Sequence, residues 1–142
     1  MASVNFANGI KTFTVNGICE ISFNPTDSFF VERLYDTFDT LDQKQTKYRE
    51  QVNSLTDNRE IFKVSRAMDE EMRADVNAIF GKDVCAELFS DMNIYAMADG
   101  LPVWVNFLLA IMDVVADSTS EEQRRSNARL DEYLAKYRKQ PK

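Results

Sequence analysis

Apolar and β-branched residues cluster in two short runs near the start of the chain. Ile10-Lys11-Thr12-Phe13-Thr14-Val15 precedes Asn16-Gly17, and Ile18-Cys19-Glu20-Ile21-Ser22-Phe23 follows it. Two β-prone runs around Asn-Gly predict a hairpin over residues 10–23, because a type I′ turn needs positive φ at both central positions. Phe13 and Val15 share one face of the first strand; Cys19, Ile21 and Phe23 share one face of the second. A hairpin alone is marginal in water, so this one should pack on helices. Residues 1–9 carry little pattern and are expected to be flexible.

The period then changes from two to about 3.6. Asn24-Pro25-Thr26-Asp27 reads as a helix start, with Asn24 as cap, Pro25 at the first helical position and Asp27 facing the positive helix end. The expected helix runs from Pro25 to Leu55. Its apolar positions are Val31, Leu34, Phe38, Leu41, Tyr48, Val52 and Leu55. With Gln45 in the gap, the spacing alternates three and four, a seam suited to packing along another helix. Gln45 either sets register or marks where the seam leaves the core. Thr56-Asp57-Asn58 breaks the chain, and a second helix is expected over 59–80 with Ile61, Val64, Met68, Met72, Val76 and Ile79 inward. So short a connection implies an antiparallel pair.

Gly81 is the expected C-cap of that helix. A short helix over 83–89 should turn Val84, Cys85, Leu88 and Phe89 inward. Residues 92–98 are apolar and read as helical or irregular, ending at Asp99-Gly100-Leu101-Pro102. Residues 103–117 form the most hydrophobic predicted helix, apolar on nearly all sides and so expected at the centre. Ser118-Thr119-Ser120-Glu121 matches a capping box, which starts a last helix over 119–138. Leu130, Leu134 and Tyr137 give that helix a thin apolar stripe, and Lys139–Lys142 should fray. The fold class is mainly α: a bundle of four to five helices (body 24–138) with a short N-terminal hairpin packed on it, one domain over 1–142.

Composition narrows the function classes. A chain of 142 residues with 44% hydrophobic and 28% charged residues can hold a core without metal or disulfide support. The net charge of −6 opposes nucleic acid and anionic lipid as partners, since both require a cationic surface. Basic residues gather only at Arg124, Arg125 and Arg129 and in the tail Lys136, Arg138, Lys139 and Lys142. They read as helix-surface charges. Cys19 and Cys85 lack metal-site spacing and read as reduced, buried small hydrophobes. The longest apolar run, Leu101–Met112, contains Pro102 and Asn106 and falls short of the roughly 20 residues of a membrane helix. No signal peptide is recognisable at the start. Together these features lead to the expectation of a cytoplasmic protein.

Candidate chemistry is sparse. Histidine is absent, which removes the usual general base and the commonest metal ligand. No glycine-rich phosphate loop occurs. Asp69-Glu70-Glu71 with Asp75 is the densest acidic cluster, and Glu71 and Asp75 share a helix face that suits a hard cation. The plainer reading is a solvated face offset by Arg66 and Arg73. Asp36, Asp39 and Asp42 lie off the seam. We therefore expect no catalytic residue, no metal ligand, no cofactor and no enzyme. Phe29 and Phe30 are neighbours on a helix, about 100° apart, and cannot both face inward. With Tyr95 and Met97 they form the expected protein interface. The methionines are either core filler or an adaptable binding surface.

Two segments together resemble a known group. Residues 12–41 carry Val15-Asn16-Gly17, Ile21-Ser22-Phe23-Asn24-Pro25-Thr26-Asp27 and Phe30-Val31-Glu32-Arg33-Leu34. Residues 92–113 carry Asn93-Ile94-Tyr95-Ala96, Ala98-Asp99-Gly100-Leu101-Pro102-Val103-Trp104 and Leu108-Leu109-Ala110-Ile111-Met112-Asp113. They resemble small prophage proteins of Firmicutes-type bacteria encoded among tail genes, similar to phage tail assembly chaperones. The resemblance implies a non-enzymatic protein that binds the tape-measure protein, tail-tube subunits or both, and it admits a homo-oligomer. It identifies no catalytic or ligand residue. A structural tail or head–tail component kept in the virion is the alternative; a carboxylate-dependent metal binder or enzyme is the second.

Overall fold

Asn16 and Gly17 both adopt positive φ, 51° and 70°, so the Asn-Gly corner reverses the chain as its residues require. In the computed structural model, which describes residues 1–125 and 128–138, the strands it joins are β1 (Lys11–Val15) and β2 (Cys19–Phe23). They pair antiparallel from Val15↔Cys19 to Lys11↔Phe23. Cys19, Ile21 and Phe23 are buried, while Glu20 and Ser22 between them face solvent. A run of rings then fastens the hairpin to the helices. Phe13 stacks on Phe23 at 4.9 Å and Phe23 on Phe30 at 4.2 Å; Phe30 meets Phe80 at 6.0 Å, and Phe80 meets Phe107 at 5.5 Å. Each such pair adds about 0.5–1.5 kcal/mol beyond its burial.

The helices that receive the hairpin are α1 (Ser28–Asn53) and α2 (Asn58–Phe80), followed by α3 (Val84–Phe89), a minimal pair β3 (Met97–Ala98) and β4 (Leu101–Pro102), then α4 (Val103–Arg124) and α5 (Ala128–Arg138). The start of α1 differs from expectation. Asn24 does not cap it, because its Oδ1 already accepts from the Thr26 amide and hydroxyl at 2.8 and 2.7 Å. This Asx turn pushes the start three residues on, and Asp27 caps instead, accepting from the Phe29 amide at 3.0 Å.

The α1 seam lies against the chain's own helices. Leu34, Leu41 and Tyr48 are buried, and Val31, Phe38, Val52 and Leu55 are half-buried. Gln45 sets register: its Oε1 accepts from the Trp104 indole N–H of α4 at 2.6 Å. On α2, Met72, Val76 and Ile79 are buried, whereas Ile61, Val64 and Met68 are half-buried. Asp57 caps α2, and Gly81 ends it at φ 67°. Lys44 of α1 joins Glu71 at 2.9 Å and Asp75 at 2.6 Å on α2. The acidic pair that suited a cation is thus bridged by the protein's own ammonium. Asp36, Asp39 and Asp42 face solvent as expected.

The expected break at Ser118 does not occur. α4 runs through the capping-box sequence to Arg124, and Ser118 is only 7% exposed. It continues the stripe Trp104, Phe107, Leu108, Ile111 and Val115 at helical spacing. A small residue that fits the packed face keeps the helix going, and that packing outweighs a local capping preference. α4 is also not buried all round: Leu109 and Ala110 are exposed. A stretch within Val103–Lys136 is long and apolar enough by length and composition to cross a membrane, yet its Trp104, Phe107, Leu108 and Ile111 are buried in this protein's core. Leu130 of α5 is exposed. The expected inward place of Tyr137 and fraying at Lys139–Lys142 lie outside the described side chains and residues.

Residues 1–9 form no regular element, but Asn8 is tied down twice. Asn24 Nδ2 donates to the Asn8 carbonyl at 2.9 Å, and the Ile10 amide donates to Asn8 Oδ1 at 3.0 Å.

Candidate functional site

The segment after α2 is held by side chains that reach across it. Asn77 of α2 donates to Asp83 at 3.0 Å and accepts from the Cys85 amide at 3.0 Å, while Asp83 caps α3 through the Ala86 amide at 3.1 Å. Beyond α3 the chain is irregular, so its polar backbone groups need partners. Arg73 supplies them. Its Nη2 donates to the carbonyls of Ser90 and Met92 at 2.8 and 2.6 Å, and its Nε donates to Asp69 at 2.8 Å. Asp69 also accepts from the Ile94 amide at 2.8 Å. α4 lacks a side-chain cap. Its first amides donate instead to the Ala96 and Ile94 carbonyls, Val103 at 2.8 Å and Trp104 at 3.0 Å.

These ties leave a groove of about 310 Å³ between the hairpin corner, α3 and α4. Val15 and Asn16 form one end. Leu88, Phe89 and Met92 form one wall, and Val103, Asn106, Phe107 and Ala110 form the other, with Ala98 at the rim. None of these ten side chains is charged. Asn106 is committed to the wall, donating to the Ala98 carbonyl at 2.9 Å. Ile18, Met97 and Leu101, beside the lining residues in sequence, are exposed apolar residues. Such a concave, uncharged surface can bury apolar side chains of a partner, and it offers no acid–base or nucleophilic group.

A second cleft of about 290 Å³ includes Phe62, Ser65, Arg66, Asp69, Asp91 and Tyr95. Two of its polar side chains, Asp69 and Tyr95, are engaged within the chain. Asp69 holds Arg73 and Ile94, and the Tyr95 hydroxyl donates to the Ser65 carbonyl at 2.9 Å. Burial, reinforced by the neighbouring Tyr48 phenol, pushes Tyr95 up to about 12. It stays protonated at neutral pH.

Both cysteines are buried and free. Burial pushes the Cys85 thiol up to about 12 and raises Cys19 as well, so neither supplies a thiolate near neutral pH. This has a stability consequence. Above the ordinary thiol value of 9.0 the unfolded chain releases a proton that folded Cys85 retains until about 12. Stability present at neutral pH should therefore decline as pH rises through that window. Lys44 acts in the same direction: its hydrogen bonds to Asp75 and then Glu71 raise it above 10.5, and that contribution is lost as the lysine deprotonates. Urea unfolding at about pH 8 and about pH 10.5 should show the fall, and Cys85→Ala should shrink it. Equal midpoints at both pH values would refute the assignment.

The four expected interface residues separate. Phe30 is 2% exposed and stacked on Phe23, so it belongs to the core and is corrected on that ground. Phe29, one helical step away, is 72% exposed but lies outside both clefts. Tyr95 is half-buried in the polar cleft. Met97 is 64% exposed on β3, next to the groove residue Ala98. The groove walls were missed because α4 was expected to be buried on all sides. Their signal is a second stripe, Val103, Asn106 and Ala110, running beside the core stripe at helical spacing. Compared with protein-family models, curated proteins and solved structures, the chain matches none of them.

Proposed function

We propose that this chain is a non-enzymatic assembly factor of the phage tail assembly chaperone kind, which holds an amphipathic helix of the tape-measure protein in the groove between α3 and α4. One observation carries the reading. Eight of the ten groove residues fall within the two segments, 12–41 and 92–113, whose sequence resembles that group; only Leu88 and Phe89 lie outside. An uncharged groove suits the apolar face of a helix, and the net charge of −6 limits aggregation of a protein that exposes it. Tail-tube subunits are a further partner on the same reading.

The test is calorimetry with the purified tape-measure protein of the phage or prophage that carries this chain. Micromolar binding is expected, weakened by about 10-fold or more in Ala110→Glu, which sets a charge in the groove from an exposed position. No binding at about 100 µM sinks the reading. Mass spectrometry of purified particles separates the alternative: a chaperone is absent from them, whereas a tail component is present.

A further inference from the structure

The uncharged groove is built from an acidic stretch of chain. Residues 83–120 supply eight of its ten lining residues, and they include six carboxylates and neither lysine nor arginine. Three of the six are engaged elsewhere. Asp83 caps α3, Glu87 pairs with Lys82 at 3.5 Å, and Asp91 lines the polar cleft together with Arg66. The other three, Asp99, Asp113 and Asp117, are exposed. Among the described residues none of them forms a salt bridge.

The places of these three follow from the backbone. Asp99 occupies the β3–β4 corner at φ 53°, next to the rim residue Ala98. Val103, Asn106 and Ala110 share one face of α4, and at about 100° per residue Asp113 and Asp117 continue that face beyond Ala110. The apolar wall therefore runs into a pair of carboxylates along one helix, over about 21 Å from Val103 to Asp117. Neighbouring cations do not neutralise them. Lys82 also donates to the Glu20 carbonyl at 2.7 Å, and Arg73 holds the Ser90 and Met92 carbonyls. On the hairpin, Lys11 is four residues from Val15, about 13 Å along the strand.

We propose that the groove takes a cationic amphipathic helix, whose apolar stripe meets the uncharged walls and whose flanking lysines or arginines meet Asp99, Asp113 and Asp117. This rests on reading the groove as a docking site, and it adds the chemistry of what docks. Charge complementarity selects the occupant. A second copy of this chain brings −6 of its own, and nucleic acid or anionic lipid brings phosphate; all three are repelled by the same carboxylates. A basic helix is steered toward them and held in register by them.

Fluorescence anisotropy with a labelled synthetic peptide of about 18 residues, enough helix to cover that face, tests this. The peptide carries leucines at helical spacing and lysines on both flanks; a second peptide has glutamate for every lysine. The lysine peptide should bind at micromolar concentration, and the glutamate peptide about 100-fold more weakly. Raising salt from about 50 to about 500 mM should weaken the lysine peptide by about 10-fold. Asp113→Asn combined with Asp117→Asn should weaken it by about 5-fold. Asp36→Asn with Asp39→Asn, the same loss of charge on the solvent face of α1, should leave it unchanged. Ala110→Glu separates the groove from charge alone: it adds a carboxylate but sets it against the apolar stripe, so binding should weaken. Equal binding of the two peptides, tighter binding by Ala110→Glu, or an equal loss in the α1 variant would each overturn the proposal. A tape-measure protein that binds without regard to salt or to Asp113 and Asp117 leaves the preceding reading standing and removes this one. A lysine peptide held as described, with no tape-measure binding, does the reverse.

Discussion

Trp104→Ala should lower the stability of this chain by about 3–5 kcal/mol, the range for emptying a buried large aromatic site. Trp104 is fully buried, meets Phe38 edge-on at 5.2 Å and hydrogen-bonds Gln45 at 2.6 Å. Volume and polarity can be separated. Trp104→Phe keeps most of the apolar volume but orphans the Gln45 amide, and should cost about 1–3 kcal/mol. Gln45→Leu orphans the indole N–H by the same argument. Combining the two removes both partners at once, so the pair should cost less than the sum of the single changes. Urea unfolding followed by circular dichroism reads all four, since Trp104 is the only tryptophan and its fluorescence is lost in three of them. Strict additivity would mean that the hydrogen bond does not link α1 to α4 energetically.

Asp69→Ala should cost about 3 kcal/mol, because it leaves a mostly buried arginine unpaired and the Ile94 amide without an acceptor. Arg73 and Asp69 side chains are 19% and 17% exposed, so solvent screening reduces their interaction less than at an open surface. The loss is local first. Residues 90–94 hang on this pair, and Met92 is part of the groove wall. Partner binding should therefore weaken at temperatures where the helices remain folded. Asp69→Asn separates charge from hydrogen bonding, since its amide oxygen can still accept from Ile94; it should recover part of the loss. Hydrogen exchange of the Ile94 amide reports the change directly. Unaltered protection there in Asp69→Ala would show that the clamp does not hold the segment.

Legibility along the chain follows the range of the forces involved. The hairpin was readable because Asn16-Gly17 solves a local steric problem, and because alternating residues of β2 must take opposite faces. The α1 seam and α2 stripe were readable because an amphipathic period survives whatever it packs on. Asp57 and Gly81 were readable as helix ends for the same local reason. Asn24 and Ser118 misled because each has two uses. Asn24 can cap a helix or close an Asx turn, and Ser118 can cap a helix or fill a tight place within one. In both, the local signal was real and a competing contact was better. Phe29 and Phe30 show the remaining ambiguity: one of two adjacent rings had to point outward, and only the stack on Phe23 decides which.

The sequence by itself determined the hairpin and its corner, the helical pair with its seam and the absence of histidine chemistry, but not the small β3–β4 pair at residues 97–102, which was expected to be helical or irregular. What it determined depends on residue identity and on neighbours within a few positions. Tertiary structure alone decided that the seam meets the chain's own α2 and α4, that Gln45 receives an indole proton, and that Lys44 closes the acidic pair. It also decided the groove. Its walls come from β1, α3 and α4, far apart in the chain, and its depth depends on how Arg73 and Asp69 hold the segment between them. No local pattern encodes a concavity, because a concavity is where packed elements fail to fill the space between them.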